Sequence, residues 1–291
     1  VSVSVLVAYA VGALLGLLAN SWPPLTRIWP VLIRAQILLA AAALSVVAAW
    51  RLGGVGDVLW PLAMASVFAV MLAVSVVITP SPGRGGVGAL RAWTGYANTG
   101  YWAIPVAGAV AGPAGVLAAV LVDKASLPVW TATTWLMRRD APIPQRVRSS
   151  WVDQSPIIAF GVGLLLKAMG EAPPWTLDVS LVFAPVLAAT GAALFVGSVL
   201  HPTQRMDPRP GLRHWIPMVA LRVVLFVPIV LLAPDGAIDV VAVLCALSIP
   251  SFGPPQMSTV YGYREPAVAA SARYGWVLGA AGLAAAYLLA R

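Results

Sequence analysis

Two stretches place polar residues and prolines inside apolar segments, where a membrane would normally forbid an interruption. Asn98-Thr99-Gly100-Tyr101-Trp102-Ala103-Ile104-Pro105 breaks one segment, and Ile249-Pro250-Ser251-Phe252-Gly253-Pro254-Pro255-Gln256 breaks another roughly half a chain later. An amide donates to a carboxylate and accepts from a cation, so Asn98 is the leading substrate or ion contact. Thr99, Tyr101, Ser251 and Gln256 are further lining candidates. Pro105, Pro250, Pro254 and Pro255 lack backbone donors and build the breaks. Trp102 is equally a packing residue or a ring against the substrate. A helix interrupted near Pro105 or Pro255 presents a new N-terminus, whose unpaired N–H groups and positive dipole end favour a negative ligand.

Four charged residues sit within apolar runs: Asp123, Lys124, Arg222 and Arg273. A charge at the centre of a spanning helix costs about 2.5 to 3.5 kcal/mol on the insertion scale, so none should face lipid. Adjacent helical residues point about 100° apart, so Asp123 and Lys124 are expected to meet partners on other spans, in coupling, gating or structural ion pairing. Arg222 and Arg273 are each expected to neutralise an acid or to attract an anion.

The elements that position these residues follow from composition. The chain has 291 residues, of which 60% are hydrophobic and 10% charged, and its mean hydropathy is +0.89. Those values lie far outside the range of soluble domains and describe an integral, all-α membrane protein. A spanning helix needs about 20 apolar residues, and roughly ten such segments can be laid out. They cover about residues 3–19, 31–50, 58–79, a broken fourth span to 111, a fifth after Gly112-Pro113, then about 155–170, 179–200, 215–233, a broken ninth over 237–263, and 267–289. The first segment lacks a preceding basic stretch and a small-residue cleavage site, and is read as a span.

The halves echo each other. Gly12 and Gly16 precede Pro23-Pro24, and Gly161 and Gly163 precede Pro173-Pro174; each half then carries Pro-Val-Leu, at Pro30 and at Pro185. Breaks in spans four and nine complete the pattern of duplicated five-helix units. An odd number of spans inverts the second unit, so the expected organisation is a first repeat over 1–137, a cytoplasmic linker over 138–150 and an inverted repeat over 151–291. The broken helices 4 and 9 then cross near the midplane.

The net charge of +8 comes from basic residues scattered among short loops, which sets membrane orientation and argues against nucleic acid. With the N-terminus outside, the cytoplasmic connections hold Arg27, Arg34, Arg84, Arg91, Arg138, Arg139, Arg146, Arg148, Arg205, Arg209, Arg213 and Arg264, against mainly Arg51 and Lys167 outside. Both termini are therefore expected outside a multi-pass plasma-membrane protein. The single cysteine, Cys245, excludes an internal disulfide, and His201 and His214 lie at loop edges without a metal-ligand spacing. No phosphate loop, nucleophile elbow or zinc motif occurs, so neither an enzyme nor an ATP-driven pump is expected, and no cofactor.

The spacing of Asn98-Thr99 before Ile104-Pro105, of Pro250 and Pro255, and of Ser155-Pro156-Ile157-Ile158, Gly161, Gly163 and Pro173-Pro174 resembles the auxin efflux carrier family. That family includes the plant PIN exporters and shorter bacterial transporters. The likeness spans nearly the whole chain, with departures at Phe252, Gly253 and the doubled Pro254-Pro255, and without the long cytosolic loop of the plant exporters. It implies a secondary-active carrier or uniporter, an efflux carrier of a small organic anion working by an elevator-type alternation. Spans 1, 2, 6 and 7 would be the scaffold and the remainder the moving unit. Expected partners are the lipid bilayer, the anion, a coupling proton or sodium ion, and a second copy in a homodimer through the scaffold helices. The competing readings are a sodium-coupled symporter of the bile-acid kind and a non-transporting membrane sensor or scaffold.

Overall fold

The computed structural model describes residues 3–22, 29–78, 91, 93–139, 155–198, 209–233, 236–249, 251 and 275–290. Within them the chain is helical. The helices are α1 (Val3–Ser21), α2 (Trp29–Gln36), α3 (Ala42–Trp50), α4 (Gly56–Ile78), α5 (Ile104–Ala125), α6 (Leu127–Arg139), α7 (Ser155–Met169), α8 (Thr176–Ser198), α9 (Arg209–Leu232), α10 (Ala237–Ala246) and α11 (Gly275–Leu289). Two π-helical turns complete the list. Ile37–Ala41 joins α2 to α3, and Thr99–Ala103 leads into α5.

By length and composition alone, four of the described stretches are long and apolar enough to cross a membrane, Gly56–Ile78, Thr99–Ala125, Thr176–Ala193 and Gly211–Leu232, although the second of them is folded at Gly112 and does not run as one straight helix. Their apolar side chains point outward as well as inward, with Leu62, Val70, Val182 and Val224 all exposed. A helix that is hydrophobic all round needs lipid or protein on every side, which marks this as a membrane protein. Prolines inside these helices, Pro61, Pro185, Pro217 and Pro228, fit that setting, since neighbouring helices can satisfy the freed carbonyls.

Gly112 divides α5. Its φ of 63° and ψ of −152° are helix-breaking and lie where a Cβ is strained. The chain turns back there, because a Cβ on Gly115 would overlap Ala107 O and one on Gly108 would lie 2.7 Å from Val116 Cγ2. Residues 104–111 and 113–125 thus form a tight antiparallel hairpin, in agreement with the reading that one span ends near 111 and the next follows Gly112-Pro113. The hairpin returns Asp123 to the level of Thr99.

Around the hairpin the helices pack in reciprocal pairs: α1 lies on α8, α3 on α7, and α4 on α9. Two glycines make the first two pairs possible. A Cβ on Gly12 would overlap Ala189 O, and one on Gly163 would overlap Val46 O, so backbone touches backbone in both. Gly12 and Gly163 thus play the same part in their pairs, whereas Gly161 faces open space. The Pro-Val-Leu echo does not survive: Pro30 lies in the first turn of α2, while Pro185 lies deep within α8. Three matched residues are too few to fix a register. At one end Arg51 ties α3 to the α7–α8 turn, donating to Pro173 O at 2.9 Å and to Thr176 Oγ1 at 2.5 Å.

Candidate functional site at two helix breaks

The first break lies at residues 96–98, one turn earlier than the proline would suggest. Thr99 N donates to Ala97 O at 3.1 Å across Asn98, whose φ of −85° and ψ of 78° are those of an inverse γ-turn. The new helix starts at Thr99, with Asn98 as its N-cap: Asn98 Oδ1 accepts from Tyr101 N at 3.2 Å. Pro105 sits in the first turn of α5 and acts at a distance. It has no N–H to give to the carbonyl four residues back, Tyr101 O, and Tyr9 Oη of α1 donates to that oxygen at 2.5 Å instead.

The second break follows α10. Leu247 leaves the helix at φ −101° and ψ 25°, and the carbonyls thereby orphaned are collected by one side chain. Arg222 of α9 donates from Nε to Ala246 O at 3.0 Å and from Nη2 to Ser248 O at 2.8 Å. Its side chain is among the largest fully buried ones. No carboxylate pairs with it among the described residues. A cation at a helix C-terminus meets the negative end of the dipole, so among the described residues Arg222 caps the end of α10.

The breaks touch. Asn98 N donates to Ser248 Oγ at 3.1 Å, and Ser248 Oγ donates to Ile249 O at 2.9 Å. Trp102 packs beside this junction, its ring 6.1 Å from that of Tyr9 and its edge against Gly279 of α11. Ser251 is buried just past the second break. Gln256, Pro250, Pro254, Pro255 and Arg273 lie outside the described residues.

Asp123 meets a partner on another span, as expected, whereas Lys124 does not. Lys124 Nζ lies 2.7 Å from Asp123 Oδ2, because the long lysine stem bends back where a rigid side chain could not. Asp123 Oδ1 meanwhile accepts from Thr99 Oγ1 at 2.5 Å, which fastens the returning arm of the hairpin to the first break. Arg91, counted among the loop arginines, is buried, and its carbonyl accepts from Ser75 Oγ at 2.9 Å.

Three participants escaped the sequence reading. Gln36 ends α2 just before its π turn and accepts from Tyr101 Oη at 2.5 Å, so Tyr101 bridges the first break to a second helix with a π turn. Tyr9 and Ser248 are the other two. Each was visible as a lone polar side chain in an apolar run, a signal that gave no hint of its partner. No protein-family model matches the chain, and no curated protein matches it by sequence.

Proposed function

We propose that the protein is a secondary carrier that moves a small organic anion across the plasma membrane, by alternating motion of a unit built around the two breaks against a scaffold. The observation that carries this reading is the contact of Asn98 N with Ser248 Oγ, which joins two helix breaks inside an apolar protein. Irregular backbone at membrane depth is tolerated where it lines a cavity or is buried in protein, and carriers use such paired breaks to hold substrate. Around the breaks, among the described residues, Lys124 and Arg222 are cationic and Asp123 is anionic, a balance that favours a negative ligand.

Two inverted five-helix repeats with ten spans are the organisation that fits best. Exchange of first and second halves would turn α1 on α8 into α7 on α3, leave α4 on α9 in place and bring each break onto the other, and the observed pairs support this reading. Both termini lie outside in this arrangement. Single cysteines in a Cys245→Ser background test it: external labelling within 138–150, with protection within 171–178, would overturn the orientation.

The function is tested in two stages. A thermal-shift screen against small carboxylates identifies a ligand, since selective binding to the folded state raises the melting temperature. Uptake of that ligand into reconstituted vesicles then separates a carrier from a sensor, which would bind without moving it. Asn98→Ala is expected to weaken binding severely while leaving a folded, extractable protein. Normal binding and transport by a folded Asn98→Ala protein removes the proposed site.

A further inference from the structure

Tyr101 belongs to the first break, yet helices outside that break hold it on three sides. Its main-chain oxygen accepts from Tyr9 Oη of α1 at 2.5 Å, and its own Oη donates to Gln36 Oε1 at the end of α2 at 2.5 Å. Its ring rests on α8 at Gly191, where an added Cβ would lie 2.7 Å from Tyr101 Cβ and Cδ1. Both partners of the Oη bond adjoin or lie in a π turn: Gln36 immediately precedes Ile37–Ala41, and Tyr101 lies within Thr99–Ala103. Such turns interrupt the helical ladder and recur at functional sites.

In the carrier reading above, α1, α2, α3, α7 and α8 are the scaffold, and the remaining helices move with the two breaks. Strong polar ties run inside each group: Arg51 to Pro173 O and Trp50 Nε1 to Gly170 O in the first, and Thr99 to Asp123, Asn98 to Ser248 and Arg222 to Ala246 O in the second. Between the groups, the side-chain hydrogen bonds among the described residues meet at Tyr101. Beside them α5 lies on α8 through small apolar groups, where a Cβ on Gly108 would stand 3.5 Å from Ala184 Cβ. Apolar contact is non-directional, whereas a hydrogen bond holds one geometry. We propose that Tyr101 is a latch that fastens the unit containing the breaks to the scaffold, and that its bonds to Gln36 and Tyr9 open each time this unit moves. An interhelical hydrogen bond in a membrane protein is weak enough to open in every cycle and strong enough to bias a population. The use of the latch in transport rests on the carrier reading; the fastening of one helix group to the other does not.

Spin labels at Met169→Cys on α7 and Leu231→Cys on α9, two exposed positions on opposite groups, report their separation in a Cys245→Ser background. The protein with its latch intact should give one dominant distance. Tyr101→Phe and Gln36→Met should each raise the ratio of a second distance to the first by roughly threefold, and Tyr101→Phe with Tyr9→Phe by about tenfold. Tyr96→Phe is the matched control, because it removes a tyrosine hydroxyl 2.6 Å from Ser126 Oγ inside the second group, and it should leave the distances unchanged. An equal shift in the control would reduce the effect to general loosening and overturn the latch. An unchanged distribution in the Tyr101→Phe, Tyr9→Phe protein also overturns it. If that double variant does not fold, Gln36→Met is read alone, and an unshifted or unfolded methionine variant counts against the latch in the same way. Shifted distances in a protein that carries no anion would remove the carrier reading and leave the latch; unshifted distances in a working carrier remove the latch alone.

Discussion

Over the described residues the two breaks present opposite helix ends, and the two ends are closed by different means. At the first, the end described is a helix N-terminus, and neutral oxygens close it: Asn98 Oδ1 accepts from Tyr101 N and Ala97 O from Thr99 N, while Tyr9 separately donates to the carbonyl that Pro105 leaves open. At the second, the exposed end is a helix C-terminus, and a single buried guanidinium takes two carbonyls at once. A chain end rich in N–H groups can be closed by almost any oxygen. An end rich in carbonyls needs donors, and Arg supplies several in a fixed fork. Among the described residues, the carbonyl end at the second break is therefore held by one side chain, and the N–H end at the first by the Asn98 side chain together with the main chain.

That contrast can be broken most forcefully at Arg222. Arg222→Met leaves two buried carbonyls without donors, and the loss of stability should be about 3 kcal/mol. Denaturant titration in detergent reads it, and Arg222→Lys, which keeps the charge without the fork, should recover only part. A methionine variant as stable as the wild type would dissolve the contrast.

Tyr9→Phe is expected to cost about 1.5 kcal/mol, near the upper end for single hydrogen bonds in membrane bundles. Its cost should shrink in a Pro105→Ala background, where the substituted position regains a backbone N–H to offer Tyr101 O; a double-mutant cycle measures the difference. Purely additive effects would mean that Tyr9 does not stand in for the proline's missing donor. Asn98→Ala, which removes an N-cap, should cost about 1 kcal/mol by the same titration. The smallest effect is expected at the point shared by both breaks: Ser248→Ala, at about 0.6 kcal/mol. A much larger loss there would show the two breaks to be one cooperative unit.

The helices themselves were legible because apolar runs of membrane length leave few alternatives, and Gly112-Pro113 marks its own turn. The position of the first break was legible only approximately. Proline draws attention to itself, yet the donor it lacks is missed one turn upstream, so the irregular backbone centres on Asn98 and not on Pro105. Partners were the least legible feature. Tyr9 meets a residue 92 positions away, and Asn98 one 150 positions away, through tertiary packing that no local pattern encodes. Lys124 misled for the opposite reason, since helix geometry fixes where side chains start but not where four methylenes can carry an ammonium.

Gly12 against Ala189 and Gly163 against Val46 are joints without clearance. Side chains that meet across an ordinary interface can exchange rotamers, and that exchange lets two helices slide in small steps. Where main chain rests on main chain there is nothing to exchange, and the contact is either kept or lost. The α1–α8 and α3–α7 pairs should therefore behave as solid pieces, stiff over a wide range of temperature, and whatever play the molecule possesses must be found elsewhere.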